Sequence, residues 1–211
     1  MNVMELKKEQ LKLSKKVIIR DDFDELNYIG GCDQAYIGNK VISAVVVLDY
    51  KTLEVVERQD ATADAPMQYI PGFLTYRESP AILAAMSKLE QKPDILIISA
   101  NGILHPRKIG MASHLGILLD MPTIGVSKKP LVGEEKDSKV VVDDEVRGVV
   151  LKTKTHAKPI YISPGHRVSL KTAEEVVRKC MVEKHKMPEP LHEAHKYGNK
   201  VKNKIETEGD A

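Results

Sequence analysis

Cysteine is scarce in this chain of 211 residues, and long hydrophobic runs are missing. The two cysteines, Cys32 and Cys180, are too few for a disulfide framework, and neither has a metal-ligand partner at short spacing, which favours a reducing compartment. No segment approaches the roughly 20 consecutive apolar residues that a membrane-spanning helix needs. The first residues have the pattern of a charged amphipathic helix rather than of a signal peptide. We therefore expect a cytoplasmic protein that does not associate with a membrane.

A strong excess of charge of one sign is also missing. Thirty-two Lys and Arg residues against thirty Asp and Glu give a formal net charge of +2, so the overall charge does not indicate a nucleic-acid-binding protein. Basic residues gather near both ends of the chain and beside a central loop, but such runs usually mark only a solvated surface. With 42% apolar and 29% charged residues, the chain has the composition and length of one globular α/β domain.

The clearest structural pattern is a succession of strand, loop, helix and strand. Ile95–Ile98 is a short β-branched run, typical of a strand buried on both faces. After a loop, an apolar helical stripe begins near Pro106 and ends near Leu119, and a second strand begins at Thr123. This order predicts a βαβ unit whose loop follows the first strand, where open α/β sheets place ligands. The alternative is an ordinary crossover without chemistry.

Strands and helices on either side complete the predicted fold. Three strands joined by short turns predict an antiparallel meander before the βαβ unit, and no repeat or long linker divides the chain. The other predicted strands cover residues 27–36, 40–49, 53–58, 140–152 and 159–163, and the other predicted helices cover 5–16, 72–90, 169–184 and 191–202. This order is typical of a ribonuclease H-like α/β fold, a mixed β-sheet flanked by helices, in a single domain over residues 1–211 with a flexible polar tail at 203–211.

Two acidic residues are candidates for binding a divalent cation. Asp33 follows a pair of glycines in a predicted strand, and Glu78 lies in a predicted helix. Mg2+ is commonly held by one or two carboxylates together with substrate phosphates, so these two residues could form a site if strand and helix pack together. The alternative is that Glu78 pairs with a lysine and that Asp33 caps a turn.

Four motifs together resemble the endonuclease V family, the deoxyinosine 3′ endonucleases. They are Gly31-Cys32-Asp33, the segment YIPGFLTYRE that ends at Glu78, the block GILHPRKIGMASHLGILLDMPTIGVSKK that begins at Gly102, and Ser163-Pro164-Gly165-His166. The resemblance covers the whole chain and implies a ribonuclease H-like core and dependence on Mg2+ or Mn2+. It also implies hydrolysis, in DNA repair, of the second phosphodiester 3′ to a deaminated base. The implied partner is DNA containing deoxyinosine or RNA containing inosine, bound by a monomer.

The resemblance assigns roles to residues at the matching positions. Asp33 resembles the family's first metal ligand and Glu78 its second carboxylate. His166 matches a histidine of the active site, and Lys128 matches a lysine beside the scissile phosphate. Tyr69 falls on the family's aromatic wedge, which fills the gap left by an extruded base.

A base-binding pocket is implied as well. Main-chain groups near Gly72, Leu74, Gly102 and Ile103 would contact the purine edge, and His105 would close the pocket.

One position departs from the family. The loop after the central strand begins with Asp-Gly in the family, and this aspartate is the third metal-binding carboxylate, whereas this chain has Ser99 and Ala100. Two interpretations follow: an active nuclease with a weaker metal site that includes Ser99, or a catalytically impaired protein that binds deaminated or single-stranded nucleic acid. A further interpretation is that both residues were introduced to trap a complex.

Overall fold

The computed structural model describes residues 2–154 and 157–209, and these residues form one sheet with helices on both faces. The strands are β1 Tyr28–Ile37, β2 Lys40–Asp49, β3 Val55–Asp64, β4 Ile95–Ile98, β5 Thr123–Ser127, β6 Glu134–Lys136, β7 Lys139–Val142, β8 Glu145–Leu151 and β9 Ile160–His166. The helices are α1 Val3–Ser14, α2 Leu74–Met86, α3 Met111–Leu119, α4 Leu170–Lys179 and α5 Glu189–Gly209. No helix within this part of the chain is long and apolar enough to cross a membrane.

The sheet is mixed, with strand order β3-β2-β1-β4-β5-β9-β8-β7-β6 among the described residues. Strands β1, β2 and β3 form the predicted antiparallel meander. Strand β4 pairs in parallel with both β1 and β5, and α3 connects β4 to β5, so the predicted βαβ unit is confirmed. The carboxyl ends of β4 and β5 therefore meet at one edge of the sheet, beside the continuing β1.

Two apolar layers hold the helices on the sheet. On one face, alternate side chains of the central strands pack against α4 and α5, with Ile97 and Leu191 among the buried residues. On the other face, the intervening side chains pack against α2 and α3, with Ile98 and Ile82 among them. Because successive strand residues point to opposite faces, the continuous apolar run of β4 supplies both layers. The predicted mixed sheet flanked by helices is confirmed.

Several element boundaries differ from the prediction. Strand β3 continues to Asp64, beyond the predicted end at Arg58, because it pairs with β2 along its length although its outer residues are polar. The predicted strand 140–152 is instead a hairpin of β7 and β8, since Asp143 and Asp144 both adopt positive φ at a tight turn. Strand β6 was not predicted.

Three further segments differ. Helix α3 begins at Met111 rather than near Pro106, because Lys108 has φ +52°, which a right-handed helix excludes. Strand β9 continues to His166, beyond the predicted end at residue 163, because it pairs with β5 as far as Thr123. Helix α5 continues through residues 203–209, which we predicted to be a polar tail, and residues 210 and 211 of that tail lie outside the described residues.

Candidate active site

Two predicted site residues meet at the edge where β4 ends. Cys32 of β1 pairs with Ile98, the last residue of β4, and the Ser99 amide donates to the Cys32 carbonyl at 3.0 Å. Ser99 thus lies beside Asp33, the next residue of β1. Parallel strands with their ends at one edge produce this arrangement, so the predicted proximity of the Asp33 and Ser99 positions is found in the structure.

Glu78 lies close to this edge on helix α2. Its carboxyl is buried, with 1% of the residue exposed, and it accepts a hydrogen bond from the Tyr36 hydroxyl of β1. Burial, with a further contribution from the negative charge of Asp33, raises the pKa of Glu78 to about 7. Burial is the main cause of this shift, and Asp33 lies close enough to add to it.

His195 is the site residue that sequence reasoning missed. Its Nδ1 lies 2.7 Å from Asp33 Oδ2 and donates to it, while Asn199 Nδ2 lies 3.1 Å from His195 Nε2. Helix α5 reaches Asp33 because β1 has Gly31, where a Cβ atom would lie 2.0 Å from the Pro190 carbonyl oxygen at the start of the helix. The adjacent glycines of the Asp33 motif are the one sequence signal for this close approach.

A cavity of about 360 Å³ opens beside the acidic pair. Four of the six residues predicted to contact a base line it: Tyr69, Gly72, Leu74 and His105. Its other lining residues are Thr75, Ser99, Ala100, Asn101, Ile109, Gly110, Met111, Ser127, Lys129, Pro130 and Leu131. Ser99 belongs both to the cavity wall and to the edge beside Asp33, so it links the two, although Asp33 and Glu78 do not themselves line the cavity.

The wall containing Gly72 is held by three hydrogen bonds to a single carbonyl oxygen. Gly72 O accepts from Gln10 of α1 at 2.9 Å, and from His105 Nε2 and Arg107, each at 3.1 Å. Burial lowers the pKa of His105 to about 4, so its ring is neutral at physiological pH. Gly72 itself has φ +79°, a conformation that favours glycine. This network fixes the loop that carries Tyr69, whose side chain is 61% exposed at the cavity.

Gly102 and Ile103 do not line the cavity. The Gly102 amide donates to Ser163 Oγ, and the Ile103 amide donates to Pro164 O, each at 2.8 Å. A Cβ at position 102 would lie 1.9 Å from Pro164 O, so this glycine permits packing against β9. The amides that we predicted to face a base are therefore already bonded inside the protein. In their place, Gly110 and Met111 bring the N-terminus of α3 to the cavity wall.

The structure separates the remaining two predicted residues. Lys128 follows the last residue of β5, so it lies at the same sheet edge as Ser99, and it is exposed. His166 pairs with Thr123, the first residue of β5, about 16 Å from Lys128 along the strand. Its ring is buried, and its Nδ1 accepts from the Ile18 amide at 3.2 Å. The structure thus places Lys128 at the sheet edge where Ser99 lies and His166 at the opposite end of β5.

The acidic pair suits a hard divalent cation. No group of three or more His, Cys, Asp or Glu side chains arranged for metal binding occurs within residues 2–154 and 157–209. Asp33 and Glu78 nevertheless offer two carboxylates, and Mg2+ often binds one or two carboxylates with waters and substrate phosphate as the other ligands. Burial raises the pKa of Glu78 to about 7, and a cation bound beside it would favour its ionised form. Ser99 adds a neutral hydroxyl where a third carboxylate would increase the affinity.

Known proteins resemble the chain over nearly its whole length. The family model for endonuclease V matches residues 11–196. The endonuclease V of Dictyoglomus turgidum is 43% identical over 211 residues, which cover 96% of this chain and 92% of the relative.

Solved structures agree with this result. Endonuclease V from Bacillus subtilis superimposes with a TM-score of 0.90 at 26% identity, covering 99% of this chain and 95% of that one. Endonuclease V from Ciona intestinalis, in complex with a 23mer DNA containing an inosine followed by a ribo-adenosine, superimposes with a TM-score of 0.87 at 27% identity. That match covers 96% of this chain and 98% of the other. The predicted ribonuclease H-like fold is confirmed.

Proposed function

The chain belongs to the endonuclease V family, and on this basis we propose that it is a metal-dependent endonuclease acting on nucleic acid that contains hypoxanthine. It hydrolyses the second phosphodiester 3′ to the deaminated base. The observation that carries this proposal is the position of Ser99, which joins a cavity of about 360 Å³ to the edge beside Asp33. A base held in the cavity leaves its 3′ phosphates next to the acidic pair.

Base extrusion is supported by the exposed tyrosine at the cavity. Taking a base out of the stack costs a few kcal/mol, and stacking on an aromatic ring returns about 1–3 kcal/mol. Tyr69 is 61% exposed on a loop that Gly72 anchors, so its ring is free to fill the vacated position. Gly110 and Met111, at the start of α3, form part of the cavity wall that an extruded base would contact.

Bond cleavage relies on Asp33 and Glu78, which would hold Mg2+ or Mn2+. Such an ion, when bound, lowers the pKa of a water nucleophile and neutralises charge on the leaving oxygen. His195 orients the Asp33 carboxylate by donating to Oδ2, and Asn199 fixes the ring of His195. Lys128 places a positive charge at the same edge and offsets the charge of the scissile phosphate.

The test is direct incision. The protein is incubated with single-stranded oligonucleotides that contain one inosine or one adenosine at the same position, with Mg2+, Mn2+ or EDTA. We expect a single nick at the second phosphodiester 3′ to inosine, dependent on the cation and abolished by Asp33→Ala. Cleavage that continues in EDTA, or that Asp33→Ala leaves at the parental rate, contradicts the proposal.

One observation favours a second function. Because Ser99 provides no negative charge, the cation would be held by two carboxylates, one of which is shared with the Tyr36 hydroxyl. The second candidate is therefore a protein that binds deaminated nucleic acid through Tyr69 and the cavity without cleaving it. Tight, inosine-selective binding without incision at any Mn2+ concentration would identify this function.

A further inference from the structure

Asn101 forms part of the cavity wall, next to Ser99 and Ala100. The residue is 9% exposed, and its carbonyl oxygen accepts from the Ala112 amide at 3.1 Å, which ties its main chain to the first turn of α3. The Ser127 hydroxyl donates to Asn101 Oδ1 at 2.9 Å. One end of the carboxamide is thus held by the protein.

The other end of the carboxamide is open. Within the described residues, Asn101 Nδ2 makes no hydrogen bond, and it is not among the fully buried polar atoms that lack a partner. Since Asn101 lines the cavity, this amide nitrogen is available to a group that enters it. Asn101 Nδ2 therefore offers a hydrogen-bond donor in a recess that is otherwise lined largely by apolar residues and main chain.

A hydrogen-bond donor at this position distinguishes adenine from hypoxanthine, the product of its deamination. Adenine has an amino group at C6, which is a donor, and its deamination product hypoxanthine has a carbonyl oxygen there, which is an acceptor. Two donors that face each other leave both without a partner, whereas a donor and an acceptor form a bond.

We propose that Asn101 is a specificity-determining residue that admits 6-keto purines and disfavours 6-amino purines, with Ser127 as the residue that positions its amide. This assignment deepens the proposed function and rests on it. Guanine also has a keto oxygen at C6. Asn101 therefore separates inosine from adenosine but does not separate inosine from guanosine.

Ser127 has a second acceptor within reach. Its hydroxyl has one proton, and Lys129 O lies 3.0 Å from Oγ, so this carbonyl competes with Asn101 Oδ1 for the proton. Loss of the hydroxyl would free the carboxamide to turn over and present its oxygen to the cavity. Ser127→Ala should thus weaken the same discrimination although Asn101 itself is unchanged.

The experiment measures affinity in EDTA, where no cleavage occurs, for three single-stranded oligonucleotides with inosine, adenosine or guanosine at one position. We expect Asn101→Ala to lower the preference for inosine over adenosine roughly 10-fold, as for the loss of one hydrogen bond and the relief of one mismatch. Ser127→Ala should lower it by a smaller factor. The preference for inosine relative to guanosine should stay at its parental value in both variants.

Asn101→Asp keeps the shape of the side chain but has only acceptors, so it should reverse the preference between inosine and adenosine. This variant also tests the assignment if Asn101→Ala fails to fold. Circular dichroism shows whether each variant is folded. Asn203→Ala, at an exposed position of α5, is the matched control and should change nothing.

The possible outcomes distinguish a failure of the proposed function from a failure of the role assigned to Asn101. A parent protein that binds all three oligonucleotides equally contradicts the proposed function and this assignment with it. A selective parent whose preference for inosine over adenosine is unchanged by Asn101→Ala and Asn101→Asp contradicts the assignment alone. An equal change in the guanosine comparison also overturns it, because the residue would then shape the cavity rather than identify the group at C6.

Discussion

Nδ1 of His195 lies 2.7 Å from Oδ2 of Asp33, although 162 positions of the sequence separate the two residues. Since a carboxylate can only accept, the ring nitrogen donates, and Nε2 remains to accept from Asn199 at 3.1 Å. Hydrogen bonds from Asn199 to His195 and from His195 to Asp33 fix Oδ2 of Asp33, while Oδ1 has no hydrogen-bond partner within the part of the chain that the structure describes. Partners of this kind hold metal-binding groups in the orientation that the metal requires.

His195→Ala should lower cleavage of an inosine oligonucleotide about 10–100-fold, the usual effect of removing a hydrogen-bond partner of a metal ligand. Binding measured in EDTA should stay at the parental level, because His195 contacts the acidic pair and not the cavity. Single-turnover cleavage across a range of Mg2+ concentrations provides the measurement. The control is His192→Ala on the same helix, where the ring stacks on His185. Equal cleavage rates for His195→Ala and His192→Ala would show that His195 has no role in cleavage.

Tyr69→Ala should weaken binding to an inosine oligonucleotide by about 1–3 kcal/mol, the range for stacking of one base on an aromatic ring. The rate of cleavage at saturating protein should change less, since Tyr69 lies at the cavity and not beside Asp33. Fluorescence anisotropy measures the affinity. Met4→Ala removes an apolar side chain that is also 61% exposed, so it is the control for a general effect of losing exposed apolar surface. If both variants bind equally well, Tyr69 does not stack on nucleic acid.

The buried ring of His105 should contribute a loss of stability in mild acid, opposite in sign to the contribution of Glu78, whose pKa is raised. The His105 folded-state pKa of about 4 lies below the ordinary value of 6.5 because burial disfavours the charged ring. Between these values the unfolded chain binds more protons, so the stability contributed by neutral His105 is present above pH 6.5 and is lost as the pH falls towards 4. The linkage relation gives a loss of about 2 kcal/mol between pH 7 and pH 5.

Urea unfolding at pH 7 and pH 5 tests this expectation. His105→Gln keeps a polar side chain that does not titrate, so the unfolding free energy at pH 5, relative to that at pH 7, should be higher in the variant than in the parent. The remaining pH dependence combines opposite contributions, because burial lowers the pKa of His114 but raises the pKa of Glu78. A difference that is the same in the variant and the parent would show that His105 does not titrate as a buried base.

The fold, and within the site the approach of Ser99 to Asp33, follow from local patterns in the sequence. The β-branched run Ile95–Ile98 and the helix ending at Leu119 determine where β4 ends, and the register of parallel strands then brings Ser99 next to Asp33. Where the prediction failed, tertiary contacts or unusual backbone angles decided the outcome. Lys108 at φ +52° delays the start of α3, and no sequence pattern indicates this angle at a lysine.

His195 was missed for a different reason. In the sequence it is one of two histidines in a polar helix, and only the packing of α5 on β1 brings it to Asp33. Gly31 permits that packing, but a glycine pair before an acidic residue indicates a close approach without identifying the partner. His166 shows the converse, since its motif is distinctive and yet the register of β9 places it at the far end of β5.

Ser99→Asp is the substitution that separates a weakened nuclease from a binding protein. The Ser99 amide is fixed at 3.0 Å from the Cys32 carbonyl, so a carboxylate at position 99 would lie beside Asp33 and would add a third negative charge to the acidic pair. If negative charge limits cation binding, the variant should cleave inosine oligonucleotides faster and reach half its maximal rate at about 10–100-fold lower Mg2+. The matched control is Ala100→Gly, which changes room in the cavity without changing charge, and which should alter base selectivity more than the Mg2+ requirement. The Ser99→Asp, Ala100→Gly double variant should combine both effects. A double variant that remains as slow as the parent at saturating Mg2+ would show that the third carboxylate is not what limits cleavage.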